Sequence, residues 1–368
     1  MRSNQPQDIT NITEDREFRA FHTFLRTARN YQEKEIYNAT YQAYVRICDE
    51  LGVKPEMSDD VLAVMDEQPE YQLYTWCYRY LQQFKYCSPD FGMQPKAHAE
   101  ADRIVKELDA AAAVSEKAGL LKLNPKIDYP DYYKLADFHQ HPGGVWDDEV
   151  DGLVYELGRR TTRPWEEDPN DLYRLMYSHL PKGKTFKRVL DWGTGQGGMI
   201  LTWMEGHPEA EAYGVDISGP CLKLVNKRAM ERGYKIHLSQ QDVEKLDYPD
   251  NYFDLVMFTF MWHEIPPGPT KRILKEVERI LKPGGVCFGM EFLPQKGSIW
   301  SEAMAHTLAY ANNEPFAPAS FKYPYCETAK EVGFSDAKIV WYDEIMTPLP
   351  TDKWTPPQMM YPLYTFTK

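Results

Sequence analysis

Between Arg188 and Ile200 the chain reads RVLDWGTGQGGMI, an apolar run that ends in Asp191 and opens into Gly193, Thr194, Gly195, Gly197 and Gly198. Backbone this bare lets N–H groups approach a ligand closely, and the competing reading is a tight strand–helix turn that holds nothing. Four other clusters could do chemistry. MWHEIPP sets His263 beside Glu264 and next to Trp262, a pair able to take a proton or a histidine kept for structure. DFHQHPGGVW places His139 and His141 two apart, with Trp146 close behind and Tyr129, Tyr132 and Tyr133 ahead of it. Either it touches a substrate or it is a loop that only packs. YANNEPF gathers Asn312, Asn313 and Glu314 in one turn, which suits a small polar group and equally suits plain helix termination. Arg159, Arg160 and Arg163 in GRRTTRPW could clamp a carboxylate or stand solvated on the surface.

The H-x-H pair invites a metal, but Pro142-Gly143-Gly144 makes a turn there, and the nearest third ligands, Asp137 and Asp147, lie on a loop that no pattern fixes. A metal-free site is expected, in which at least one of the two histidines bonds the substrate or orders the loop.

The elements that must position these residues fall into two kinds. Up to about residue 120 the periodicity is helical. Tyr37, Tyr41, Tyr44, Cys48 and Leu51 step by threes and fours until Gly52, and a helix follows Pro95 through the Ala-rich LDAAAAV. Between them, Glu70 to Cys87 carries stripes at Tyr71, Tyr74, Tyr78, Leu81 and at Leu73, Cys77, Tyr80, Phe84, which predicts burial on two sides, with aromatic faces serving as core. The expected division is a helical domain over 1–120, a Pro- and Tyr-rich linker and lid over 121–185, and an α/β domain over 186–368. Its strands are expected at 188–191, 212–216, 235–238, 253–258, 286–292, 338–343 and 363–367, mostly parallel with the last two antiparallel.

With 368 residues, 43% hydrophobic and 14% aromatic, the chain has ample material for a core. Its formal charge of −13 disfavours a nucleic-acid partner. MRSNQPQDITNITED has no apolar h-region and no apolar stretch approaches a membrane span, so a cytoplasmic protein without a membrane partner is expected. The six cysteines are scattered without CxxC spacing and are expected to be reduced and mostly buried.

The glycines alone satisfy two patterns. Gly193, Gly195 and Gly198 fit the GxGxxG of dinucleotide sites, while Asp191 with Gly193, Gly195 and Gly197 resembles the DxGxGxG of class I S-adenosylmethionine-dependent methyltransferases. The rest of the half separates them: QQDVEKLDYPDNYFDLVMFTFMWHEIP and RILKEVERILKPGGVCFGMEF resemble later motifs of that superfamily, in its order. The resemblance implies a seven-stranded class I sheet with S-adenosylmethionine as cofactor. On it, Asp191, Gly193, Thr194, Gly195 and Gly197 would line the methionine part, and Asp216 would accept the ribose hydroxyls. Ile217, Gln241, Asp242 and Val243 would surround the adenine, and Thr259 and Phe260 would lie near the reacting sulfur. Trp192 departs from the usual small residue and is expected to narrow the pocket floor.

The resulting expectation is methyl transfer to nitrogen, oxygen or sulfur of a small molecule. His263, Glu264, His139 and His141 are its catalytic candidates, and Tyr132, Tyr133, Trp146, Trp262, Asn312, Asn313 and Glu314 its acceptor contacts. No [DN]PP[YFW] follows residue 258, nor does the acidic residue of metal-dependent catechol enzymes. The alternatives are a protein substrate docked by the helical domain, a fold that binds the cofactor without turnover, and a nicotinamide oxidoreductase. A homodimer is compatible with the sequence.

Overall fold

A computed structural model describes residues 12–162, 168, 170–341 and 359–368. The N-terminal part is helical: α1 (Arg16–Tyr31), a π-helical turn at Gln32–Ile36, α2 (Tyr37–Leu51), α3 (Ser58–Met65), α4 (Pro69–Cys87), α5 (Met93–Ala99) and α6 (Ala101–Lys117). Local causes set the ends. The Asp15 carboxylate accepts from the Phe18 N–H ahead of α1, Gly52 ends α2 at φ 65°, and Pro69 opens α4 where its missing N–H costs nothing. The helix expected after Pro95 is two helices that meet at Glu100. Helix α4 buries one face, not two: Tyr74 and Tyr78 are in the core, whereas Leu73, Tyr80 and Phe84 are about half exposed.

Then follow β1 (Leu121–Lys122), α7 (Asp151–Thr162), α8 (Asp171–Ser178), β2 (Arg188–Trp192), α9 (Gly198–Gly206), β3 (Glu211–Asp216), α10 (Gly219–Glu231), β4 (Ile236–Gln240), β5 (Phe253–Thr259) and α11 (Pro267–Ile280). The chain closes with β6 (Leu281–Met290), β7 (Leu293–Pro294), α12 (Ile299–Asn312), α13 (Ala317–Phe321), α14 (Tyr325–Val332), β8 (Asp336–Val340), β9 (Met359–Met360) and β10 (Leu363–Thr367). Eight strands form one sheet in the order β1-β4-β3-β2-β5-β6-β10-β8, parallel from β1 to β6, with β10 antiparallel to both neighbours. The sheet is therefore the expected seven strands plus an edge pairing of Leu121 with Leu238, too short to show a period in sequence. Strand β8 was expected to reach 343, but positions 342 and 343 lie outside the described residues.

The helical part is packed onto this sheet. Ala112 and Leu121 share an apolar cluster with Ala229 and Ile236, and Lys223 of α10 pairs with Asp109 of α6 at 2.7 Å. Trp300 and Met304 of α12 lie among Tyr37, Tyr74 and Tyr78, and Trp300 Nε1–H donates to the Tyr37 hydroxyl at 3.1 Å. All six cysteines are free. Only Cys221 and Cys287 are buried, and Cys87 is exposed.

Candidate active site

Strand order reverses direction between β2 and β5, and the loops after these two strands border one cavity of about 380 Å³. Asp191 ends β2 almost fully buried, its Oδ2 accepting from the Ile200 N–H at 3.2 Å. Burial pushes its carboxyl well above the usual range. The Thr194 hydroxyl is directed to the backbone carbonyls of Asp191 and Val215, at 2.9 and 3.0 Å, which pins the loop. At Gly195, with φ +51°, an added Cβ would meet only Tyr155 within 4 Å, at 3.6 Å, so its bare Cα opens on the cavity. The Gly195 N–H donates to Asp216 Oδ2 at 2.7 Å, and the Ser218 N–H to Oδ1 at 2.8 Å. Burial raises the Asp216 pKa to about 6 against these two donors. Gly193, Ile217, Asp242, Val243, Thr259 and Phe260 also line the cavity, and burial raises the Asp242 pKa.

Three positions expected on this side do not line it. Gly197 is the left-handed N-cap of α9, where a Cβ would strike Val225 at 2.8 Å, so its need for glycine comes from helix packing. The Gln241 amide oxygen accepts from the Asp247 N–H at 2.6 Å, inside its own turn. Trp192 alternates with Asp191 to the other face of the sheet and packs 5.0 Å from Trp262 and 5.5 Å from Phe258, so it does not floor the pocket.

The other wall is made of side chains. His263, buried in the short turn after β5, places Nδ1 2.9 Å from Glu291 Oε1, while its Nε2 has no hydrogen-bond partner among the described residues and lies 3.8 Å from Glu264 Oε1. Glu291 at the end of β6 also accepts the N–H groups of Trp262 and His263, at 2.8 and 3.3 Å. Burial opposes a charged His263, but the Glu291 carboxylate prevails and raises its pKa to about 9. His139 bridges two acids, with Nε2 2.8 Å from Glu264 and Nδ1 3.0 Å from Glu314. Here too burial opposes the charge, and the two carboxylates raise the pKa to about 10. The Asn312 amide donates to Glu314 Oε1 at 3.0 Å, leaving Glu314 Oε2 buried without a partner. One donor atom each from His139, His263 and Glu314 lies within 4.8 Å of the others, a set with metal-ligand chemistry.

The H-x-H pair is split. His139 and Gln140 both have positive φ, 58° and 60°, which turns the chain and sends His141 away from the cavity. His141 is fully buried, stacked 4.7 Å on Tyr86 with Nε2 3.3 Å from Asp151. Trp262 lies in the core with Trp192 and Tyr325, and Asn313 is the left-handed cap of α12, its amide donating to the Asp137 carbonyl at 3.3 Å. Tyr132, Tyr133 and Trp146 do line the cavity. Tyr129 packs 4.4 Å from Trp146, and the Ser218 hydroxyl donates to the Val145 carbonyl, which ties this segment to the loop after β3. Of the three arginines, Arg159 reaches the cavity but is held by Glu156 at 3.1 Å, Arg160 pairs with Glu14, and Arg163 lies outside the described residues.

Sequence reasoning did not single out the charged wall residues Arg29, Glu33 and Lys85, which α1, the π-turn and α4 supply beside Tyr37 of α2 and Tyr78 of α4. One signal was present. Lys85 continues the apolar stripe of Tyr71, Tyr74 and Tyr78, where a charged residue is out of place unless it has work to do.

Residues 189–285 match the family model described as a methyltransferase domain. Over 111 residues the chain is 34% identical to demethylmenaquinone methyltransferase of Thermus thermophilus, covering 30% of this chain and 50% of that protein. Over 121 residues it is 36% identical to a ubiquinone/menaquinone biosynthesis C-methyltransferase of Neisseria meningitidis, covering 33% and 47%. The chain thus spans about half the length of the curated relatives it matches. Among solved structures, phosphoethanolamine N-methyltransferase 2 of Haemonchus contortus with S-adenosylmethionine aligns at TM-score 0.47 and 17% identity, over 65% of this chain and 60% of that one.

Proposed function

We propose that this chain, which carries a class I S-adenosylmethionine-dependent methyltransferase domain, transfers the methyl group of that cofactor to nitrogen, oxygen or sulfur of a small molecule. One observation carries the reading: one cavity is bordered both by the glycine loop and by a buried histidine, His263, whose Nε2 has no hydrogen-bond partner among the described residues and can take a proton once the ring is neutral. The residues fit the cofactor, since Gly195 leaves space where a side chain would intrude and Asp216 offers a buried carboxylate to a pair of hydroxyls. When bound, S-adenosylmethionine supplies a methyl group already activated by its positive sulfur.

The chain has then to align the acceptor, exclude water and remove its proton. His263 takes that proton at Nε2, while Glu291 fixes the other nitrogen as N–H and favours the imidazolium that results. His139 is a positioning residue, because both its nitrogens are already committed to Glu264 and Glu314, and we read the site as working without a metal ion. Tyr132, Tyr133 and Trp146 line the site together with residues of the helical part, which favours a small acceptor over a docked protein.

The quinone relatives do not transfer their carbon acceptor to this chain. The matched 111 and 121 residues cannot span Arg29 to Glu314, so much of the acceptor wall lies outside the similarity. The test is a labelled-methyl screen over thiols, amines, hydroxy acids and phenols, with S-adenosylhomocysteine measured alongside. A methylated small molecule is expected. Label found only on added proteins would overturn the small-molecule reading, and stoichiometric zinc with chelator-sensitive turnover would overturn the metal-free one.

A further inference from the structure

Resting on that reading, we propose that the methyl acceptor carries a carboxylate, which the chain seats between Arg29 and Lys85. Arg29, Glu33 and Tyr37 are spaced by four and all line the cavity. The π-turn between α1 and α2 makes this possible, because its wider turn returns Tyr37 to the face that Arg29 occupies, where an α-helix would rotate it onward.

Arg29 is 5% exposed. Its Nε–H donates to Glu33 at 2.7 Å and its guanidinium lies 3.7 Å over the Tyr78 ring, yet Nη1 is buried with no hydrogen-bond partner among the described residues. Lys85 is 2% exposed, and among the described residues its ammonium lies 4.7 Å from the centre of the Tyr86 ring and reaches two neutral oxygens, the Gly158 carbonyl and the Thr162 hydroxyl, each at 3.4 Å. Those are long contacts for a charged donor. Glu33 offsets Arg29, and Glu314 is bound to His139, so among the described residues no carboxylate is within ion-pair distance of Lys85.

A buried ammonium without a counter-charge is unfavourable. Burial and the neighbouring Arg29 charge, opposed by Glu314, hold the Lys85 pKa well below its ordinary value. A carboxylate brings one negative charge, enough to draw Lys85 back to its ammonium form while Glu33 already offsets Arg29, which favours it over a phosphate dianion. The two oxygens of a carboxylate match two separate N–H donors. The same cavity then leaves the nucleophilic atom of the acceptor to face His263.

The full chain, saturated with S-adenosylhomocysteine, is titrated by calorimetry with 4-hydroxybenzoate, 4-aminobenzoate and 3-(4-hydroxyphenyl)propanoate, each against its primary amide. In at least one pair the acid should bind about tenfold tighter or more, and Arg29→Met or Lys85→Met should reduce it to the level of the amide. Equal affinity within every pair, or no binding by any acid, overturns the proposal. Arg29→Lys keeps the charge and serves where Arg29→Met fails to fold. A second readout needs no acceptor: Lys85→Met should raise the melting temperature of the free chain, because it removes an uncompensated buried charge. A lower melting temperature would mark Lys85 as a structural cation and overturn the carboxylate seat. Failure to bind S-adenosylhomocysteine would be visible before any acid is added, and would count against the methyltransferase reading instead.

Discussion

The two walls of the cavity are built on different principles. The cofactor wall is main chain: a strand end, a turn of glycines and a carboxylate tied to backbone N–H groups, most of it within Asp191 to Asp216. The opposite wall is side chains brought from α1, α4, the segment before α7, the turn after β5, the end of β6 and the end of α12. A site made of backbone must be written locally, because only glycines and a fixed strand–helix turn produce it. A site made of converging side chains can draw on any residues the fold brings together. The first wall is therefore written within one short stretch, while the second depends on how the fold brings distant residues together.

The largest expected effect comes from separating the walls. Deleting residues 1–120 removes α6 from its apolar cluster on α10 and strips Arg29, Tyr78 and Lys85 from the cavity. We expect an aggregation-prone fragment with turnover lost, assayed by size-exclusion chromatography and methyl transfer. A monodisperse fragment with full activity would show that the second wall is dispensable and would favour a docked protein substrate.

The same contrast explains what was legible in sequence. Parallel strands buried on both faces read as apolar runs, so β2, β3 and β5 lie where the pattern places them, and Asp191, Gly195 and Asp216 meet at one cavity. The errors fall where a side chain's direction depends on a backbone turn. His139 and His141 look alike in DFHQHPGG, but two consecutive positive φ values send one into the cavity and the other onto Tyr86. Trp262 sits one residue from His263 and yet points into the core. Arg29 and Lys85 were not picked out because the Tyr78 ring under Arg29 and the Gly158 and Thr162 oxygens beside Lys85 lie across the fold, and the aromatic stripe around them reads as ordinary core.

A crossed pair of substitutions tests whether the walls act independently. His263→Ala should lower turnover by about 10²–10⁴-fold while cofactor affinity stays within a few-fold, as for loss of a general base. Asp216→Ala should weaken the cofactor by about 1.5–3 kcal/mol through loss of a buried charged acceptor, with the turnover number at saturating cofactor much less affected. Calorimetry and saturation kinetics on both variants decide it. If His263→Ala weakens the cofactor as much as Asp216→Ala does, the two walls are one coupled unit and the division drawn above is wrong.

The smallest effect is a pair of pH limbs, and their independence is the sharpest form of the comparison. On the cofactor side, burial holds Asp216 near pKa 6, so below that pH its carboxyl takes up a proton and offers the hydroxyls a poorer acceptor. Affinity for S-adenosylhomocysteine should accordingly fall as pH drops through about 6. On the acceptor side, His263 must be neutral to take a proton, but Glu291 from β6, with Glu264 and Glu314 adding to it, holds the imidazolium up to about 9 in spite of burial and of the nearby His139 cation. Turnover should therefore rise about tenfold per pH unit through neutrality and level off near 9. Glu291→Gln keeps an oxygen for the Nδ1–H and removes the charge. Burial then dominates, the His263 pKa falls, and the limb in turnover should move to lower pH by one unit or more, while the limb in cofactor affinity stays near 6. Turnover profiles set beside binding profiles for the two proteins would show this directly. A turnover limb that Glu291→Gln leaves in place would take His263 out of the role of base, and a joint shift of both limbs would mean that Asp216 and His263 titrate as one system.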